Sequence, residues 1–72
     1  MSRVITVKVV DDDGYALAGY LVNEYGGTKQ KTGKDGKVNL DIEGSEVTIY
    51  VAGSKAFSGW TKNCDNPLIV VK

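Results

Sequence analysis

Few side chains in this sequence can do chemistry, and the densest group of them is Asp11-Asp12-Asp13-Gly14. Calcium takes oxygen ligands, and carboxylates clustered on a turn supply them, so Asp11 and Asp13 are the candidate cation ligands. Asp35, Asp41 or Glu43 can add oxygens if their turns lie at the same end of the fold. The spacing is not that of an EF-hand, because Val9 and Tyr15 stand where that loop needs ligands. The plainer reading is a solvated turn whose Asp side chains bond their own backbone.

Nucleophilic catalysis lacks its usual parts. The chain has no histidine and one cysteine, Cys64, so neither Ser-His nor Cys-His activation is available, and Lys62 is the one cation close by in sequence. A Cys/His metal site is short of ligands for the same reason. Two carboxylates working across a cleft need room that 72 residues hardly provide. The expectation is a protein that is not an enzyme and carries no cofactor, with calcium the single candidate ion.

Aromatic side chains are the remaining functional candidates: Tyr15, Tyr20, Tyr25, Tyr50 and Trp60. Grouped on a surface, Tyr50 and Trp60 can stack on sugar rings or anchor a protein partner. Within strands they serve equally as cross-strand packing. Tyr15, on its turn, and Tyr50, opposite in face to Val47, Ile49 and Val51, are the two expected to be exposed. Lys29, Lys31, Lys34 and Lys37 form a basic stretch that can meet an acidic surface or keep an edge strand from aggregating.

The elements that position these residues read as strands. Ile5, Val7 and Val9 alternate with Thr6 and Lys8, the period of a half-buried strand over 3–10. The Asp-rich turn stops it. A second strand over 19–25 carries bulk on both faces, which predicts a central or doubly covered position. Residues 28–32 read as a Lys-guarded edge strand, and the Asp35-Gly36 turn leads into 37–42 with Val38, Leu40 and Ile42 inward. Residues 47–51 alternate strongly, 56–61 form a weaker strand with Phe57 and Trp60, 62–67 is a loop, and 68–71 closes the chain. The pattern predicts an all-β chain, a small seven-stranded antiparallel Greek-key sandwich forming a single domain over 1–72.

Val7-x-Val9-x-Asp11-x-x-Gly14, Leu17-Ala18-Gly19 leading to Val22, Thr32-x-x-x-Gly36-x-Val38-x-Leu40, and Val47-x-Ile49-x-Val51 with Gly53 together resemble the carboxypeptidase regulatory-like domain. That family is a transthyretin-like (prealbumin-like) sandwich, related in architecture to Ig-like folds, and the likeness covers about residues 4–57. Tyr20 departs from it, standing where the family usually has a small residue. So does Gly53-Ser54-Lys55-Ala56-Phe57, which replaces the family's Gly-Tyr. The resemblance implies a non-catalytic accessory module. More distantly the pattern is similar to the B-type repeats of collagen-binding adhesins, which often carry a Lys to Asn isopeptide crosslink beside a buried acid. Lys8, Asn63 or Asn66, and Glu46 are the matching residue types, but Lys8 alternates with Val7 and Val9 and so points away from the core.

Nine Lys+Arg balance nine Asp+Glu, which argues against nucleic acid as a partner and favours self-association. The longest apolar run, 68–71, is too short to span a bilayer, and 1–3 lead into a strand instead of a signal peptide. A chain of 7.7 kDa has a thin core, and with one cysteine it has no internal disulfide to help it. A partner subunit is the natural stabiliser. The functional expectation is therefore a structural or assembly module acting through protein partners or as a homo-oligomer. It would decorate or build a larger particle such as a phage virion or a bacterial surface structure, or be a domain of a surface protein. Contacts are expected at Tyr50, Trp60, Leu68 and Val70, since a short apolar last strand can add to another sheet. The alternative is an accessory module that binds carbohydrate or calcium.

Overall fold

Alternation between β-branched and polar residues sets the first element, and a computed structural model, describing residues 2–72, places β1 at Ser2–Val10. It is followed by β2 (Leu21–Glu24), β3 (Gln30–Lys31), β4 (Lys37–Glu43), β5 (Glu46–Val51), β6 (Ser54–Trp60) and β7 (Leu68–Val71), with one 3-10 turn at Thr61–Asn63. The structure is all-β in two sheets, ordered β4-β1-β7 and β3-β2-β5-β6.

β1 is the spine of the smaller sheet. It runs antiparallel to β4, with Ile5 opposite Leu40 and Val7 opposite Val38, and parallel to β7, with Val7 beside Leu68. The parallel pair corrects the expectation of a wholly antiparallel arrangement. Side-chain period marks a segment as a strand but carries no information on its direction. In the larger sheet β5 lies between β2 and β6, and a register shift at Ile49/Tyr50 leaves Ala56 unpaired as a bulge.

The inward residues of both sheets form one core. Ile5, Val7, Val9, Val22, Leu40, Ile42, Ile49 and Val51 are buried, as are Val38, Val47, Cys64 and Leu68. Leu17, Tyr20, Ala56, Phe57 and Val70 pack against it from its margins. The inward alternation expected for β4 and β5 holds, with burial falling on every second residue. The accessible surface, 4610 Å², is close to the roughly 4,300 Å² that surface scaling gives for a folded chain of this mass.

β2 is an inner strand of its sheet, as its bulk suggested, but it is not covered on both faces. Leu21 and Tyr25 face solvent while Val22 is fully buried. β3 is shorter than the strand read over 28–32, and it lies at the edge of its sheet with two exposed residues. The loop expected over 62–67 begins within the 3-10 turn, whose first residue, Thr61, is buried and donates from its hydroxyl to Gly44 O at 3.2 Å.

Candidate functional site

Each sheet ends in two edge strands, and the four edges differ. β3 is two residues long and carries Lys31 beside Lys29, while β6 is bulged and contains Lys55 and Gly59. Both are devices that deter a stray strand from adding. β4 presents Lys37, Asn39, Asp41 and Glu43, all exposed. β7 is Leu-Ile-Val-Val, with no charge, proline or bulge inside the strand.

The β7 edge is open in a defined way. The Lys72 N–H donates to Val10 O at 2.8 Å, so by alternation Val70 and Leu68 turn their amides toward β1 and Ile69 and Val71 turn theirs outward. The same two residues carry the exposed side chains, at 50% and 58%. Leu68 is buried in the core and Val70 is half-buried against it. Leu68 and Val70, the residues expected at a contact, therefore face the core, and the exposed side chains of the strand are Ile69 and Val71. The cause is the register with β1, which turns Leu68 to the same face as Val7.

The aromatic candidates divide. Trp60 is exposed, opposite Glu46, and Tyr50 is half-buried, opposite Lys55 and Asn23. Alternation puts both on the outer face of the four-stranded sheet. Tyr25 joins them there, at 79% exposure the most open aromatic, its N–H donating to Thr48 O at 2.8 Å. Tyr25 was a candidate but not one of the two expected to be exposed, because residues 19–25 show bulk on both faces and give no sign of which is covered. Tyr15 is exposed on its turn, as expected.

The Asp-rich turn spends its chemistry locally. One carboxylate oxygen of Asp11, Oδ1, accepts from the N–H groups of both Asp13 and Tyr15, each at 2.9 Å. Asp35 does likewise in its own turn, accepting from Lys37 N–H at 3.1 Å. The Val9 N–H to Gly36 O bond puts the Asp35 turn at the end of the fold that holds the Asp11 turn. Glu43 pairs with Ser2 at the other end. Among the described residues no three His, Cys, Asp or Glu side chains come together as a set able to hold a metal.

Cys64 is buried, and burial pushes its thiol above the ordinary value, with Asp65 acting in the same direction and Arg3 opposing. A raised thiol holds less thiolate at neutral pH, the reverse of an activated nucleophile. Lys8, Asn66 and Glu46 do not converge. Lys8 sits beside Ile69, the amide of Asn66 is bonded to the β1 backbone, and Glu46 lies in the other sheet. A shallow groove of 280 Å³ is lined by Glu24, Tyr25, Glu43, Glu46, Val47 and Thr48, three of them glutamates.

No family model, no curated protein and no solved structure matches this chain. Among the described residues no helix is long and apolar enough to cross a membrane.

Proposed function

We propose that this chain is a non-enzymatic structural module that works by protein–protein contact, as a small subunit building or decorating a larger particle such as a virion or a bacterial surface structure. We also read it as a transthyretin-like, seven-stranded Greek-key sandwich. Support for that comes from the resemblance in the strand and turn motifs together with the two-sheet arrangement.

The observation that carries the functional reading is the β7 edge. Strand addition needs outward main-chain groups beside side chains that gain by burial, and Ile69 and Val71 offer both. The contrast with β3 and β6, which are blunted, favours a used edge over a neglected one. The test is sedimentation velocity at high protein concentration on wild type and on the paired variant Ile69→Lys/Val71→Lys. Both positions are exposed, so the fold tolerates them. Loss of the larger species in the variant supports the reading, and an unchanged distribution removes β7 from it.

A second reading is a carbohydrate-binding accessory module, favoured by Tyr25, Tyr50 and Trp60 sharing one outer sheet face. It predicts that Trp60 fluorescence changes saturably on titration with a soluble polysaccharide. No change across a panel of neutral glucans and chitin fragments counts against it. A calcium-binding version predicts a higher melting temperature with calcium, lost in Asp11→Asn/Asp13→Asn.

A further inference from the structure

The other edge of the smaller sheet, β4, holds information that β7 does not. Its backbone polarity follows from the bonds around β1. Asn66 bonds Thr6 N–H and Val4 O from the β7 side, and Val9 N–H donates to Gly36 O on the β4 side. Ile5 and Val7 therefore turn their amides to β4, where they meet Leu40 and Val38. By alternation Asn39, Asp41 and Glu43 turn theirs to the open edge. Lys37 is closed by its turn, its N–H donating to Asp35 Oδ1 and its carbonyl accepting from Gly33 N–H.

The side chains along that edge read Lys37, Asn39, Asp41, Glu43, all exposed, with Val38, Leu40 and Ile42 buried behind them. The order is chemically palindromic about Leu40. Laid antiparallel against itself with Leu40 at the centre, the strand sets Lys37 opposite the partner's Glu43 and Asn39 opposite the partner's Asp41. Each pair occurs twice. The orientation of Asn39 suits this, because its Oδ1 accepts from Thr6 Oγ1 at 2.7 Å, which leaves its amide N–H groups to donate to a carboxylate. The outward main-chain groups match too, since Asn39 and the partner's Asp41 form hydrogen-bonded pairs on both sides of the axis.

We infer that β4 pairs with β4 of a second copy across a two-fold axis at Leu40, joining the two smaller sheets into one. Charge complementarity selects both the partner and the register. Moving two residues one way sets Asp41 against the partner's Asp41, and two the other way sets Lys37 against the partner's Asp41 but Glu43 against the partner's Asp35, so neither shift has attraction without repulsion, as the register centred on Leu40 does. A shift of one residue sets Asn39 opposite the partner's Leu40, whose main-chain groups already bond β1, and puts the two buried faces on opposite sides of the joined sheet. The same charges repel or fail to match most other strands, so the edge is guarded against strangers and open to itself. The partner's Lys37 then also lies at the end of the fold where Glu24, Glu43 and Glu46 line one groove. The interface is isologous, as a closed dimer requires. This dimer does not depend on what meets β7.

The test is a charge swap read by light-scattering mass. Wild type is expected to dimerise with rising concentration, less so in high salt. Lys37→Glu and Glu43→Lys each turn both attractive pairs repulsive and weaken dimerisation by about tenfold or more. Mixing the two variants restores a heterodimer, since both cross pairs are then Glu with Lys, and the double variant Lys37→Glu/Glu43→Lys restores the homodimer. A mixture of Lys55→Glu with Asp12→Lys, equal in charge but away from β4, must not heterodimerise more tightly than wild type. Restoration in the mixture shows that the variants are folded. A wild type that stays monomeric, or a mixture that does not recover, overturns the inference. Association lost only in Ile69→Lys/Val71→Lys also overturns it and leaves the β7 reading standing.

Discussion

The side chain of Asn66 supplies Thr6 with the rung that the backbone of β7 does not. Thr6 N–H donates to Asn66 Oδ1 at 3.1 Å, and Asn66 Nδ2 donates to Val4 O at the same distance. In the β1–β7 ladder Lys72 N–H meets Val10 O, an offset that would bring the main chain of residue 66 to Val4 and Thr6. The carboxamide of Asn66 occupies both places, donor for donor and acceptor for acceptor. It extends the parallel pairing beyond Leu68, where the strand proper begins, and seals that part of β1 against any other strand.

Asn66→Ala is therefore expected to lower stability by about 1 kcal/mol, since the two groups it abandons are near solvent and recover part of their bonding from water. In a chain of this length that is a fall of about 4–8 °C in melting temperature, measurable by circular dichroism. A change below 1 °C would show that the two bonds add nothing net.

Thr32 holds the start of the larger sheet together. Its buried hydroxyl donates to Leu17 O at 2.7 Å and accepts from Tyr20 N–H at 3.0 Å. Thr32→Val keeps the shape and strands both backbone groups, at a cost of about 2–3 kcal/mol, while Thr32→Ser keeps the bonds and costs about 1 kcal/mol. Urea midpoints of the two variants check the order, and equal losses would place the role in the methyl group.

Gly36 must remain glycine. Its φ is +72°, and a Cβ there would lie 2.6 Å from Val9 O and 3.1 Å from the Ala16 Cβ. Gly36→Ala is expected to cost about 3 kcal/mol or more, a large share of the stability of a small domain. Gly14→Ala, at φ +88° with nothing within 4 Å, carries only the backbone penalty of about 1 kcal/mol. Thermal melts of the pair separate close approach from φ alone, and similar losses would refute the clash.

How much of this was legible depended on period and partner. Val38, Leu40 and Ile42, or Val47, Ile49 and Val51, announce their inward faces because alternation is local and strong. Leu68 to Val71 announces a strand but not its facing, since four apolar residues in a row have no period, and only the register with Val7 shows that Ile69 and Val71 are outside. Asn66 and Thr32 are short polar residues in stretches that read as loop and edge. Their work is in bonds to residues 60 and 15 positions away, which no local pattern encodes. The self-bonding of the Asp11 turn is legible in the sequence, because an Asx bond lies within the turn itself.

Cys64 gives a pH dependence with a definite sign. Burial and Asp65 raise its folded value above that of the unfolded chain, so the stabilisation is full below the ordinary thiol value and is lost as pH rises through the folded one. Stability is expected to fall in mildly alkaline buffer in wild type and to stay level there in Cys64→Ala, once the cost of the lost packing is subtracted. Alkylation of the native thiol is expected to be slow and to become fast in urea. Rapid modification of the folded protein would contradict its burial.

Sheet edges that meet other strands are central to the proposed function, and the native mass of tag-free wild-type protein over a wide concentration range tests them most directly. The expected result is a light-scattering mass that climbs from 7.7 kDa toward at least twice that value as concentration rises. A mass of 7.7 kDa at every concentration would contradict it.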